Sequence, residues 1–492
     1  MAKLILRIFH FCEPSDDADK HFALVCNMWF EVFVSTRWQT VRDPRRLLGA
    51  YGFYGSARKR RYNEIYSQHV QFLDFDEQHL GSSALDNFFD TLRFIEHIPI
   101  LPNVTSLRFA NVRHAQRFGQ ISLWMNHRIT KFVIEDDFQA SSNRLLFSES
   151  SYHRLLLRIP IHMPYLRQLE LGLQFNLGFS SYQPVVDSLK DLRIIRLPAL
   201  GTIPNFSPIS SAHLESLAVG VKREIVDRAL HFTGYGYVDT PILLIPDCFP
   251  NLSTFEVYCT HLEAIRFFRS IHSTRLRNIA ISVPAGRSVQ DFDLPSRGEI
   301  RVLFSAIAHA APSAQKVSLQ LLVDKSGAQI FGLVKGKPDI VDMVHVDDLI
   351  PLSACVEITS FVLDHVYPAS MNSEDVVRLT AAWPKLRELA ICPGPLLPLG
   401  RYPFGMKHPD WTVLPLFARY NPHISVVRLV IMSPPLVHFS GLSDSFRKLL
   451  LSSFDPGPYV QTDNMDTRIF RPGINGFREL TTVYHCTFVE GA

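Results

Sequence analysis

The chain contains no apolar run approaching the roughly 18 residues a membrane-spanning helix needs, so no membrane contact is expected of it. Nor does it open as a secretory signal does. The apolar stretch from Leu4 to Phe11 is preceded by Lys3, broken by Arg7 and His10, and lacks a small-residue cleavage site. Cysteine is scarce and shows no pairing pattern. Cys12, Cys26, Cys248, Cys259, Cys355, Cys392 and Cys486 are odd in number, widely spaced and never in C-x-x-C, which argues against a disulfide framework and a zinc ribbon. Reduced thiols in cytoplasm or nucleus are therefore expected, and the sequons at Asn103 and Asn251 read as chance matches. An excess of one charge is missing too. Lys and Arg number 50 against 47 Asp and Glu, a net of +3, which leaves no footprint for nucleic acid.

Signatures of catalysis are equally sparse. The 20 histidines are scattered, with no H-E-x-x-H, and no G-x-S-x-G occurs. Gly332, Gly336, Lys337 and Pro338 imitate a phosphate loop, but the spacing is one residue short and Pro338 stands where a magnesium-binding hydroxyl is needed. His345, Asp347 and Asp348 have no second ligand cluster nearby in sequence and read as a solvated loop. No catalytic, cofactor-binding or metal-ligating residue is nominated, and the chain is expected not to be an enzyme.

What the sequence has in abundance is apolar residues in a recurring arrangement. Hydrophobic residues make up 47% of the 492 positions and charged ones 20%, enough for a large core, and Phe (36) far outnumbers Tyr (15) and Trp (5). An apolar residue recurs at i, i+3 and i+5. The copies are Val70/Leu73/Phe75, Val104/Leu107/Phe109, Ile129/Phe132/Ile134, Leu166/Leu169/Leu171, Leu192/Ile195/Leu197, Leu214/Leu217/Val219, Leu252/Phe255/Val257, Leu276/Ile279/Ile281, Ala314/Val317/Leu319, Ile358/Phe361/Leu363, Leu386/Leu389/Ile391 and Ile424/Val427/Leu429, with a degraded one near Leu480/Val483. The last two positions are two apart and so face one side of a short strand, while the first plugs the turn leading into it. One such strand cannot bury its apolar side alone, so the array is stable only as an array.

Helical patterns lie between the strands, at 82–98, 261–272, 298–311, 373–383 and 411–420. In the second, Leu262, Ile265, Phe268 and Ile271 or His272 keep helical spacing. Strand alternating with helix implies parallel strands joined by crossovers. The expected fold class is α/β: a short three-helix module, then an irregular solenoid with parallel strands on its concave face and helices on its convex face. Three segments are expected: a module at 1–42, a basic Gly/Tyr-rich linker at 43–65 and the repeats at 66–492, with inserts near 325–355, 393–411 and 433–475. The run Arg58-Lys59-Arg60-Arg61 reads as a solvated charge run or a nuclear localisation signal. Repeat spacing runs from roughly 22 to more than 50 residues, longer on average than the 20–29 of regular leucine-rich repeats.

The L-x-x-L-x-L pattern nevertheless resembles the leucine-rich-repeat family across 66–492. The family's ladder-forming Asn or Cys is absent: Val112, Gln174, Lys222, Thr260 and Gly394 stand in its place. The N-terminus resembles an F-box. It has a first helix Leu4-Ile5-Leu6-Arg7-Ile8-Phe9 with Phe11, a polar break, Ala23-Leu24-Val25-Cys26 and Trp29, then Trp38 and Val41. The combination is similar to the large F-box families of mushroom-forming fungi. F-boxes usually begin Leu-Pro with an acidic residue, whereas Lys3 stands where Glu is usual, so the expectation is a truncated start or a lost opening contact.

The resemblance implies the substrate-recognition subunit of an SCF-type ubiquitin ligase, with the F-box docking a Skp-family adaptor and, through it, cullin, and the repeats holding a protein substrate. It makes Leu4, Ile8, Phe9, Phe11, Leu24, Val25, Cys26 and Trp29 adaptor-binding candidates, with Trp29 and Cys26 also readable as core of the module. A module of about 40 residues is small to stand alone and would be covered by a partner or by the first repeat. Outward strand positions include Arg167, Arg193, Arg277, Arg387 and Arg428, read either as a partner-binding strip or as ordinary solvated residues. The alternative function is a leucine-rich scaffold or inhibitor that binds a protein without ligase assembly.

Overall fold

The computed structural model describes residues 35–43, 67–77, 101–112, 116–135, 149–172, 181–198, 212–219, 249–259, 261–271, 273–284, 297–322, 343–365, 369–392, 407, 420–421, 423–424, 426–432 and 483–485. The chain divides into two units, Met1–Ile225 with Tyr235–Leu252, and Val226–Gly234 with Ser253–Ala492.

Each of the twelve repeat copies forms a strand. In the first unit β1 (Thr40–Val41), β2 (Phe72–Asp76), β3 (Ser106–Ala110), β4 (Lys131–Glu135), β5 (Gln168–Leu171), β6 (Ile194–Leu197) and β7 (Ser216–Val219) pair in sequence order, every pair parallel. The helices described between them are α1 (Gln116–Ile121), α2 (Glu149–His162) and α3 (Gln183–Ser188). In the second unit β8 (Thr254–Tyr258), β9 (Asn278–Pro284), β10 (Lys316–Leu322), β11 (Ser360–Asp364), β12 (Glu388–Ile391) and β13 (Val426–Met432) pair in the same way. Its described helices are α4 (His261–Ser270), α5 (Arg297–Ala310), α6 (Val346–Leu349) and α7 (Ser373–Ala381). The degraded last copy becomes β14 (Val483–His485), which runs antiparallel to β13.

The register follows from burial. Leu73, Leu107, Phe132, Leu169, Ile195 and Leu217 align across the first unit and none exceeds 1% exposure. Sliding any strand by one residue would turn this row outward, at a cost of about 1.5–3 kcal/mol for each large side chain. The first apolar residue of each copy closes a turn. In ten copies its N–H donates to the carbonyl three residues earlier at 3.0–3.4 Å, from Val104 to Leu101 through Ile424 to Asn421. Pro102, Pro164, Pro250, Pro312 and Pro384 occupy the second turn position, where a fixed φ suits the geometry. The next residue then offers one carbonyl to two amides of the following copy. Thr130 O accepts from the N–H groups of Arg167 (2.8 Å) and Gln168 (3.0 Å), and Gln315 O accepts from those of Thr359 (2.7 Å) and Ser360 (3.1 Å).

Aromatic side chains fill the space between strands and helices. In the first unit Phe75 meets Phe109 and Trp124 edge-on, and Tyr152 bridges Phe118 and Tyr182. In the second, Phe255 stacks on Phe267 at 4.1 Å and Phe361 lies between Phe304 and Trp383.

Three details differ from the sequence expectations. Thr40–Val41, expected at the end of the N-terminal module, are the first strand, with Val41 2% exposed. Leu262 is 44% exposed, because α4 turns Ala264, Phe267, Phe268 and Ile271 to the core and leaves Leu262 out of phase with them. His345, Asp347 and Asp348 are the capped start of α6: Asp348 is 2% exposed and its carboxylate accepts from the His345 N–H at 2.9 Å. Helices at 261–270, 297–310 and 373–381 match their predicted spans closely, whereas the predicted helix at 82–98 lies outside the described residues, as does 411–420 except for Tyr420. Among the described residues no helix is long and apolar enough to cross a membrane.

Candidate functional site

The inward positions are filled by the core, so any recognition by the sheet falls to the residues that alternate with them. Three columns of such residues run across the strands: the residue before each strand, its first residue and its third. In the first unit the third-residue column carries charge that is neutralised in place. Arg108 of β3 donates to Asp74 of β2 and to Glu135 of β4, both at 2.7 Å, and Asp74 also faces Arg42 at 3.7 Å. Further along, Arg196 of β6 stands 3.9 Å from Glu170 of β5. Partial burial works to lower the pKa of Arg108, but its hydrogen bonds and charge contacts with Asp74 and Glu135 outweigh this and hold it above its ordinary value.

The other two columns of the first unit form a groove of about 300 Å³ along the ends where the strands begin. Its floor runs from Phe72 of β2, 37% exposed, past Ser106 of β3 and Lys131 of β4 to Gln168 of β5 and Ile194 of β6. Its rim is the preceding column, Thr105, Thr130, Arg167, Arg193 and Glu215. Arg193 and Glu215 pair at 3.1 Å, both half-exposed. Lys131 and Arg167 make no ion pair with any described residue. The turn and the shared carbonyl fix this geometry: Arg193 N–H donates to Arg167 O and Arg167 N–H to Thr130 O, both at 2.8 Å, so successive rim residues stand one strand spacing apart.

Of the five arginines singled out from sequence, Arg167 and Arg193 meet in this groove. Arg277 and Arg387 occupy the same column in the second unit, separated by Gln315 and Thr359, so they are not neighbours. Arg428 belongs to a different column, aligned with Ala390. Of the five, Arg167 and Arg193 alone are seen on successive repeats in one column. Lys131, Phe72, Ile194 and Glu215 were not picked out from sequence, although aligning the copies on their first apolar residue would have put them beside Arg167 and Arg193. The adaptor candidates Leu4, Ile8, Phe9, Phe11, Leu24, Val25, Cys26 and Trp29 lie outside the described residues.

The groove is lined by the cations Lys131, Arg167 and Arg193, the carboxylate of Glu215, the amide of Gln168, three hydroxyls and the apolar side chains of Phe72 and Ile194. The described cysteines, Cys259, Cys355 and Cys392, are buried elsewhere, and burial pushes their thiols up, that of Cys355 to about 11, so they stay protonated at neutral pH. Among the described residues no group of three or more His, Cys, Asp or Glu could hold a metal ion. Comparison with known proteins matches the chain to no family model and to no curated sequence.

Proposed function

We propose that this chain is a non-enzymatic receptor: its N-terminal segment resembles an F-box that docks a Skp-family adaptor on a cullin ubiquitin ligase, and its leucine-rich-repeat-like array holds a protein substrate. The observation that carries the substrate-holding half is the groove, a solvent-facing recess in which six successive repeats each contribute a residue next to a strand start. Repeat arrays favour this use because the inward residues secure the fold and leave the outward ones free to vary. The ligase half rests on the F-box-like residues Leu4 to Trp29, which precede β1 by only a short stretch.

The test is co-expression of the full chain with a Skp-family adaptor, beside a Phe9→Ala/Phe11→Ala double variant. A stoichiometric complex that the variant loses is the expected result. No complex, even after a Leu-Pro-x-Glu start is restored, would overturn the ligase half. The second reading, a scaffold or inhibitor that binds a protein without ligase assembly, draws on Val41. The end of the F-box-like stretch is buried in β1, as it would be if the N-terminal segment served the array.

A further inference from the structure

The first unit treats its outward charges in two ways. In the middle of the sheet every described acid and base has a partner within 4 Å: Arg42 with Asp74, Arg108 with Asp74 and Glu135, Arg196 with Glu170. At the ends where the strands begin this matching stops. The groove gathers Lys131, Arg167 and Arg193 against Glu215 alone, and Glu215 is taken up by Arg193. A cluster of like charges on a face that is otherwise self-neutralised is a complementary surface for the opposite charge.

Resting on the reading that this face holds a protein partner, we infer that the groove binds an extended acidic peptide segment, its carboxylates meeting Lys131 and Arg167 and an apolar side chain meeting Phe72. Spacing supports the fit. Parallel strands stand about 4.8 Å apart and an extended chain advances about 3.3 Å per residue, so about six residues cross from β2 to β6. Lys131 and Arg167 belong to adjacent repeats, and each is placed to take a separate single negative charge. Glu215 disfavours a dianion beside Arg193, so the groove selects carboxylates over phosphate. Phe72 and Ile194 supply apolar contact at its two ends.

The probe is a fluorescein-labelled peptide in which Glu alternates with Leu and Gly, titrated into the full chain by fluorescence anisotropy with no adaptor present. Binding that weakens with added salt is expected, and the same peptide with Gln for Glu binds at least about tenfold more weakly. The double variant Lys131→Glu/Arg167→Glu loses at least about tenfold, while Arg266→Glu, an exposed change on α4, leaves binding unchanged. Glu215→Gln frees Arg193 and tightens binding about threefold, a gain that misfolding cannot imitate. Equal binding of the Gln peptide, indifference to the double variant, or no gain from Glu215→Gln overturns the inference. So does a phosphoserine version that binds about tenfold more tightly than the Glu peptide, which would make the groove a phosphate site. Failure of the adaptor experiment leaves this measurement intact, and failure here leaves adaptor binding intact.

Discussion

Across the first unit the residue at the third strand position is Asp74, Arg108, Val133, Glu170, Arg196 and Ala218; across the second it is Glu256, Ala280, Ser318, Val362, Ala390 and Arg428. The same contrast holds inside. Buried polar stabilisation in the first unit includes an ion pair, Glu77 with Arg117 at 3.0 Å, each side chain 4% exposed. In the second it includes neutral groups that donate to main-chain carbonyls. Trp383 Nε1 reaches Leu352 O at 3.0 Å, and Asn421 Nδ2 reaches Trp383 O at 2.7 Å and Thr380 O at 3.2 Å. The described ion pairs of the second unit lie on helices and turns: His261 with Glu299, Arg378 with Asp347 and Lys385 with Glu357. One backbone pattern thus supports an electrostatic unit and a largely neutral one, because the pattern constrains only the inward apolar positions.

The contrast breaks most visibly at the buried ion pair. Glu77→Ala leaves the Arg117 guanidinium buried without its carboxylate, and a loss of about 3–5 kcal/mol is expected in urea unfolding. A loss below about 1 kcal/mol would show that charge is incidental to the first unit's core. Next in size is Asn421→Ala, which removes a side-chain donor from two buried carbonyls that each keep a backbone N–H donor, and costs about 1 kcal/mol for the lost hydrogen bonds. Because no charge is involved, that cost should be the same at low and high salt; a salt-dependent cost would undo the neutral description of the second unit.

Alkaline pH sharpens the comparison further. The described buried thiols all belong to the second unit. Each folded thiol is raised above its ordinary value, so in the alkaline range the unfolded chain releases protons that the folded chain keeps, and stability falls as pH rises. For Cys355 the loss begins near the ordinary value of 9.0 and levels off near 11. The slope is at most about 1.4 kcal/mol per pH unit for each thiol. Unfolding followed from pH 8 to 11 checks this, and Cys355→Ala should flatten the slope. The smallest effect is Arg108→Ala. Its two ion pairs are partly exposed, so about 0–1 kcal/mol is expected, vanishing in high salt.

How much of this was legible in the sequence follows the same division. Inward positions such as Leu169, Ile195 and Phe361 could be read because burial imposes a spacing that recurs. β1 could not, since two residues carry no period, and its place is set by pairing with Phe72 and Leu73. Leu262 misled because an apolar residue at helical spacing is equally possible just outside the buried stripe. Asp348 reads as a solvated group in sequence because its partner is a backbone N–H, which no side-chain motif reveals. For the groove, Arg167 and Arg193 stood out by charge, while Lys131 and Glu215 did not, since outward residues follow no rule and acquire meaning only once the columns are aligned. Arg428 was grouped with them by charge alone and belongs to another column.

The short turn before each strand bears on how such a chain can change over generations. Where the turn and the shared carbonyl are both seen, they restore the alignment whether the stretch since the previous copy is the 24 residues from Leu252 to Leu276 or the 44 from Ala314 to Ile358. Insertions and deletions between copies are therefore reset before they reach the sheet. Lineages of such proteins are free to lengthen or shorten their connecting segments widely, while a single residue gained or lost within the turn would be selected against at once.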